Sequence, residues 1–153
     1  MNKLETRIPP PLIVIVIGLL MWQLSPAAMR IEEGALIRQS IAGIVAFIGL
    51  ICDFLGAVSF RKVKTTVNPM SPEKSSALVC TGIYKYSRNP MYLGMVLLLL
   101  AWAIYLASAW SLLGVVVFVH YMNRFQIIPE EEAMEKLFGQ EYLAYKAKVR
   151  RWL

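Results

Sequence analysis

The sequence predicts an all-α integral membrane protein with four transmembrane helices, and composition, run length and charge placement all support that fold class. Hydrophobic residues make up 58% of the 153 residues, and the mean hydropathy is +0.54. Four apolar runs approach or reach the roughly 17 to 25 residues that a helix needs to cross a bilayer. The basic residues, which give a net charge of +6, cluster in the predicted loops and the tail. This placement fits a positive-inside topology and anionic head groups better than a nucleic-acid partner.

The first apolar segment begins after a short polar N-terminus. Pro9, Pro10 and Pro11 suit a helix start, because the first turn has no intrahelical use for the N–H groups that proline lacks. Pro26 marks the end of this segment, and a mixed-charge turn is predicted over residues 29–39. A signal peptide is the alternative for this segment, since a positive flank, a short apolar core and small residues resemble one. The length of the chain predicts a single domain. Its four spans are predicted at residues 10–26, 40–60, 91–107 and 110–127.

The second predicted span carries a stripe of small residues. Small side chains at helical spacing allow two helix backbones to approach closely in lipid, within one chain or between chains. Asp53 lies on the same stripe, so we expect it to face protein or water. A carboxylate inside a membrane is a candidate functional group, and the alternative is a purely packing role opposite a basic side chain. The stripe consists of Ala42, Ala46, Gly49, Asp53 and Gly56.

The loop over residues 61–90 is the most basic in the chain, so we expect it on the cytoplasmic side together with both termini. Residues 65–76 are rich in Thr, Pro, Ser and Asn, which predicts irregular structure. Loops of this length in a compact protein are usually functional. Ser108 and Ala109 leave room only for a tight turn, so the third and fourth spans should form an antiparallel hairpin.

Polar side chains interrupt the second half of the fourth span. His120 and Arg124 lie four residues apart and Asn123 is close, so an α-helix places all three near one face. In a membrane, such a face should line a polar cavity, which makes Arg124 and His120 candidates for contacting a ligand.

The sequence after the fourth span predicts a helical tail. Pro129 should break the span, and Glu130, Glu131 and Glu132 should start a new helix. Gly139 should end that helix before another, with a basic face that lies along the membrane surface. This basic face would consist of Lys146, Lys148, Arg150 and Arg151.

The two cysteines, Cys52 and Cys80, form neither a disulfide framework nor a metal-binding spacing, so we expect structural thiols and no metal site.

Two linked motifs carry a resemblance to a known family. GIYKYSRNPMYLG, residues 82–94, precedes a helical hairpin, and PEEEAMEKLFGQEYLAYK, residues 129–146, follows it. In order and spacing they resemble the isoprenylcysteine carboxyl methyltransferase and phospholipid methyltransferase family, from about Val67 to the C-terminus. The resemblance implies a membrane-embedded enzyme that takes S-adenosylmethionine from the cytosol and methylates a lipid-associated or small hydrophobic acceptor. The implied cofactor-binding residues are Gly82, Tyr84, Arg88, Asn89, Pro90, Tyr92, Gly94, Glu130, Glu131, Tyr142 and Tyr145.

The resemblance leaves several points open. Asn89 stands where many members have His, and Glu132 adds a third acid, so the glutamate that would hold the cofactor's ammonium is uncertain by one position. A carboxylate acceptor would need a cation such as Arg124. An amine acceptor would need a base, for which His120 or Asp53 is a candidate. The alternative functions are an NADPH-dependent membrane reductase of similar architecture and a non-catalytic membrane scaffold.

Overall fold

The computed structural model describes residues 6–25, 34–63 and 75–153, and helices are the only regular elements in these ranges. A short 3₁₀ turn, Gly82–Lys85, precedes the third helix, and a π-helical segment, Met122–Ile127, joins the fourth helix to the fifth. The predicted all-α class is confirmed. The five helices are α1 Pro10–Gln23, α2 Ala35–Val63, α3 Pro90–Leu106, α4 Ser111–Tyr121 and α5 Ile128–Lys148.

Two helices are long and apolar enough to cross a membrane by length and composition. They are α2 and the continuous helix Ser111–Lys148, which comprises α4, the π-helical segment and α5. The apolar helices α1 and α3 are shorter, with 14 and 17 residues. The number of transmembrane spans therefore stays a prediction for α1 and α3.

The start of α2 differs from the predicted turn over residues 29–39. The helix already begins at Ala35, directly after Gly34, whose φ is 71° and whose carbonyl accepts the Arg38 N–H at 3.0 Å. The turn prediction is thus wrong for residues 35–39. Arg38 and Gln39 are both good helix formers, and apolar residues precede them. The helix therefore begins before these two polar residues and not after them. Pro26, residues 29–33 and most of the irregular stretch 65–76 lie outside the described residues.

The small-residue stripe of α2 packs against α3 within the same chain. A Cβ atom added to Gly49 would lie 2.9 Å from the Gly94 carbonyl oxygen. One added to Gly94 would collide with the Gly49 carbonyl and with the Asp53 carboxylate. Gly56 similarly leaves space for Met91. The stripe therefore serves contact between two helices of one chain, which the sequence had left open.

Helix α1 contributes to the central core. Its buried face packs with α3 and α4, and Met21 fills the space beside Gly114. The Trp102 indole N–H donates to the Gly18 carbonyl at 3.0 Å, and the Ser25 and Ser111 hydroxyls pair at 2.9 Å. Loss of this segment as a signal peptide would open the core. The core residues include Ile13, Ile17, Met21, Leu99, Phe118 and Met122.

The chain does not break at Pro129, so the prediction of a break is wrong. Tyr121, Met122, Ile127 and Ile128 all have right-handed helical dihedrals, so α4 continues through the π-helical segment into α5. Proline has no N–H to donate to the carbonyl four residues earlier, that of Phe125. The Thr6 N–H donates to this carbonyl at 3.0 Å instead. The π-helical geometry and this outside donor together let the helix pass the proline.

The C-terminal tail is helical in two parts and then extended. Gly139, with φ 50° and ψ −121°, divides α5, which confirms the predicted helix boundary. The second part ends at Lys148, so Arg150 and Arg151 do not continue a basic helical face as predicted. Arg151 instead turns inward to the Glu131 carboxylate, because a buried carboxylate requires a charged partner.

Gly49→Ala should destabilise the protein by about 1–3 kcal/mol, because the new methyl group forces the α2 and α3 backbones apart. Gly43→Ala is the matched control in the same helix, since nothing lies within 4 Å of its Cβ position. We expect the control to unfold at or above the wild-type temperature. Circular dichroism melting in one detergent compares the two variants, and equal melting temperatures would contradict the packing described here.

Candidate functional site

A cavity of about 390 Å³ lies between the start of α1, the end of α2, the segment 75–79, the start of α3 and α5. This volume falls within the range of small-molecule sites, roughly 300 to 1,000 Å³. We call this cavity the cleft. Its polar wall is formed by Tyr84, Arg88, Asn89, Tyr92, Glu130, Glu131, Tyr142 and Tyr145. Its apolar wall includes Pro9, Pro10, Pro11, Phe60, Leu78, Val79, Met91, Met95 and Met134.

Glu130 presents a carboxylate to the cleft. The Tyr92 hydroxyl donates to its Oε1 atom at 2.5 Å, and the Gln126 amide donates to the same atom at 2.6 Å. Within the described part of the chain, Oε2 has no hydrogen-bond partner. Burial raises the pKa of Glu130 to about 7, although the two hydrogen bonds oppose this shift. Glu130 thus offers one oxygen atom to a ligand that carries a positive charge.

The negative charge of Glu131 is balanced by cationic side chains of the protein. Arg88 Nη2 lies 2.8 Å from Oε1, while Arg151 donates from Nε to Oε1 at 2.9 Å and from Nη2 to Oε2 at 2.7 Å. Burial by itself would raise the pKa of Glu131. The hydrogen bonds from Arg151 and the charge of Arg88 outweigh burial and hold the pKa below its usual value. Glu131 is therefore an ionised structural group.

Arg88 also ties the C-terminal tail to the turn before α3. Its Nη1 atom donates to the carbonyls of Lys146 and Val149 at 3.0 and 3.2 Å, and its backbone N–H donates to the Arg150 carbonyl at 3.0 Å. The neighbouring Asn89 amide donates to the Arg151 carbonyl at 3.0 Å. An arginine is suited to this position because its planar guanidinium group donates in several directions at once.

Aromatic rings form a continuous side of the cleft. Tyr84 is buried and packs edge-on against Phe60, with 5.4 Å between ring centroids. The Tyr145 hydroxyl donates to the Tyr84 carbonyl at 2.7 Å, and the Tyr142 ring lies 6.3 Å from that of Tyr145. Aromatic faces attract cations, and so does the Glu130 carboxylate. Both therefore favour a positively charged ligand in the cleft.

Three residues assigned to the cofactor pocket by resemblance do not line the cleft. Gly94 lies at the crossing of α2 and α3, where only glycine leaves room for the Gly49 carbonyl and Asp53. Gly82 starts the 3₁₀ turn with φ 64°, a conformation that favours glycine, and Pro90 is the first residue of α3. All three shape the backbone that carries Tyr84, Arg88 and Tyr92.

The candidates for contacting the acceptor are likewise outside the cleft wall. His120 and Arg124 are exposed, and the intervening Asn123 accepts a hydrogen bond from the Trp152 indole at 3.2 Å. The face of this helix that turns inward carries Phe118, Met122 and Gln126 instead. Among the described residues, the opposite helix face packs against the core, so His120 and Arg124 do not line the cleft and their contact with a ligand stays a prediction.

Asp53 packs against Gly94 at the crossing of α2 and α3, and it does not line the cleft. Its Oδ1 atom is buried without a hydrogen-bond partner among the described residues. No ion pair with a basic side chain joins it among the described residues, so neither the functional role nor the paired packing role predicted for Asp53 is decided.

Sequence reasoning missed several residues of the site. Gln126 lies four residues before Glu130, a spacing that places both on one side of a helix. This spacing is the sequence feature that could have identified Gln126 as a neighbour of Glu130. Pro10 and Pro11 were interpreted only as a helix start, although they line the cleft. Nothing local in the sequence indicates that Arg151 binds Glu131, since 20 residues separate them.

Comparison with known proteins identifies the family of this chain. The sequence profile of the phospholipid methyltransferase family matches residues 37–141, which is more than half of the chain. This protein belongs to the phospholipid methyltransferase family. The family match includes Arg88, Tyr92 and the glutamate pair, whereas α1 and the residues after Glu141 fall outside it.

Individual relatives match over shorter stretches. An uncharacterized protein of Haemophilus influenzae is 51% identical over 63 residues, which are 41% of this chain and 100% of that protein. The protein-S-isoprenylcysteine O-methyltransferase of Saccharomyces cerevisiae is 35% identical over 80 residues, which are 50% of this chain and 32% of the yeast protein. No solved structure matches the chain significantly. The family is thus established over the helices that build most of the cleft.

Arg88→Ala should release the tail and destabilise the protein by at least about 2 kcal/mol, since it removes hydrogen bonds from a charged donor and one partner of a buried carboxylate. Hydrogen exchange of the amides in residues 149–152 should accelerate strongly. Arg150→Ala is the control, because that side chain is exposed, and it should change stability by less than about 0.5 kcal/mol. Unchanged tail exchange in Arg88→Ala would show that Arg88 does not hold the tail.

Proposed function

We propose that this protein is a membrane methyltransferase that uses S-adenosylmethionine and methylates a lipid-associated or small hydrophobic acceptor. The observation that carries the proposal is Glu130, a half-buried carboxylate in a cleft lined by tyrosines, with one oxygen that has no hydrogen-bond partner among the described residues. Membership of the phospholipid methyltransferase family supports the reaction class. The partial match to a yeast O-methyltransferase supports it further.

The residues of the cleft fit the chemical groups of S-adenosylmethionine. Its ammonium group suits the Glu130 carboxylate, and its sulfonium suits the aromatic side formed by Tyr84, Tyr142 and Tyr145. When bound, this cofactor supplies an electrophilic methyl group. The protein's own contribution would be to orient donor and acceptor and to exclude water, because the reaction requires no covalent enzyme intermediate.

Of the three consecutive glutamates, we assign the ammonium contact to Glu130. Glu131 is paired with Arg88 and Arg151, so its charge is already compensated. Glu132 is exposed and does not line the cleft. Glu130 alone combines a position in the cleft wall with an available carboxylate oxygen.

The acceptor would lie against the apolar wall of the cleft. Pro10, Pro11, Met91 and Met95 come from the starts of α1 and α3 and present no charge. Such a wall suits a hydrocarbon chain, and flexible methionines adapt to chains of different shape. Arg61, Lys62 and Lys85 flank the cleft-forming segments, so we place the cleft and both termini on the cytoplasmic side.

Calorimetric titration of the detergent-purified protein with S-adenosylmethionine, S-adenosylhomocysteine and NADPH tests the proposal. Both adenosyl ligands should bind, and Glu130→Gln should weaken them about 10- to 100-fold, because a hydrogen bond between charged groups is lost. Glu132→Gln is the matched control and should bind like the wild type. Binding of NADPH alone would favour a reductase. Binding of none of the three by folded protein would favour a non-catalytic scaffold.

The affinity for S-adenosylmethionine should also depend on pH. Glu130 has a pKa of about 7 in the ligand-free protein, and only its ionised form attracts an ammonium group. The affinity should therefore fall as the pH drops below about 7, by up to tenfold per unit. It should fall again above about pH 8, where a free α-amino group loses its proton. Glu130→Gln should abolish the acid limb of this profile, and an unchanged acid limb would contradict the assignment.

A further inference from the structure

We propose that Gln126 is a positioning residue that holds the Glu130 carboxylate in its ligand-binding orientation and charge state. This inference rests on the proposed function, because it concerns the group that would hold the ammonium of the cofactor. The geometry that points to it is the hydrogen bond of 2.6 Å from the Gln126 amide to Glu130 Oε1.

Two donors share one oxygen of Glu130. The Gln126 amide and the Tyr92 hydroxyl reach Oε1 from different helical segments, the π-helical segment and α3. A carboxylate that is fixed through one oxygen has a defined rotamer and presents its second oxygen in a fixed direction. Preorganisation of this kind lowers the entropic cost of ligand binding.

The burial of Gln126 is not explained by packing. It is 2% exposed, and it continues an inward face whose preceding members, Phe118 and Met122, are fully buried and apolar. An apolar side chain would fill this position without the desolvation cost of an amide, which is about 1–3 kcal/mol when a buried polar group lacks its partner. A buried amide at such a position indicates a specific requirement for its hydrogen bonds.

The backbone at Gln126 is also unusual. Residues 122–127 form a π-helical segment inside an otherwise continuous helix. Such segments are rare and often occur at functional sites. Here the segment lies next to Pro129 and supplies the amide that meets Glu130 four residues later.

The charge state of Glu130 depends on the groups around it. The Tyr92 hydroxyl of α3 and the Gln126 amide stabilise the ionised form, whereas burial and the negative charge of Glu131 oppose it. The prolines that α1 contributes carry no titratable group. Loss of the Gln126 amide should therefore favour the protonated form. The remaining titratable or charged groups of the cleft wall are Tyr84, Arg88, Tyr142 and Tyr145.

The test uses full-length protein with Gln126→Met, which keeps the approximate volume and removes the donor. Gln140→Met is the matched control, since Gln140 is exposed on α5. Gln126→Asn is a second variant that keeps an amide but shortens its reach, in case the methionine variant does not fold. Two profiles are measured for each protein. One is the pH dependence of S-adenosylmethionine affinity by calorimetry, and the other is the infrared titration of the protonated Glu130 carboxyl, assigned with Glu130→Gln.

We expect both Gln126 variants to move the acid limb of binding and the infrared midpoint upward by about one pH unit, and the control to move neither. The affinity loss should consequently be larger at pH 6.5 than at pH 7.5. A uniform loss at all pH values, with an unmoved infrared midpoint, would show a merely structural role and overturn the inference. If the wild type binds no adenosyl ligand, the proposed function fails, and the infrared midpoint alone then decides whether Gln126 controls the ionisation of Glu130.

Discussion

The buried ion cluster of Arg88, Glu131 and Arg151 is the interaction on which the cleft depends. It joins the turn before α3, the first turn of α5 and the extended tail, which are far apart in sequence. An unpaired charge is costly inside a protein, so the buried Glu131 and Arg88 require their partners, while the half-buried Arg151 adds a second cation to the carboxylate. The cluster also sets the position of the neighbouring residues, because Tyr92 lies in the first turn of α3, directly after the segment that carries Arg88, and Glu130 adjoins Glu131. The contact between Tyr92 and Glu130 is thus a consequence of a structural ion pair.

A second constraint is the proline at the junction of the fourth and fifth helices. Pro129 leaves the Phe125 carbonyl without its helical donor, and the Thr6 N–H takes that place. This hydrogen bond attaches the segment before α1 to the α4–α5 helix beside the cleft. We propose that this end of the protein faces the cytoplasm. Pro10 and Pro11 consequently become part of the cleft wall. The carbonyl that Pro129 leaves free thus gives the segment before α1 a hydrogen bond to the α4–α5 helix.

The cleft combines two kinds of surface. A carboxylate and aromatic rings suit a cationic, water-soluble cofactor, while prolines and methionines suit a hydrocarbon chain. Glu130 and Glu131 are adjacent in sequence and have opposite roles in this arrangement. Arginine contacts keep Glu131 ionised as a structural group, whereas burial raises the pKa of Glu130 to about 7 despite its two hydrogen bonds from neutral donors. This difference in environment is what supports assigning the ligand contact to Glu130.

The sequence by itself determined the all-helical class, the approximate helix bounds and the convergence of two motifs on one site. Apolar run length and helix-breaking residues are local properties, and the motif residues Tyr84, Arg88, Asn89, Tyr92, Glu130, Glu131, Tyr142 and Tyr145 do meet in the cleft. Only the tertiary structure decided that His120 and Arg124 turn outward. It also decided that Gly94 and Asp53 belong to a helix crossing. Gln126 and Arg151, by contrast, turn inward. Helical periodicity fixes which residues share a face, but the direction of that face depends on packing between distant segments. Here the packing of Phe118 and Met122 into the core sets that direction for the fourth helix, and no local pattern encodes it.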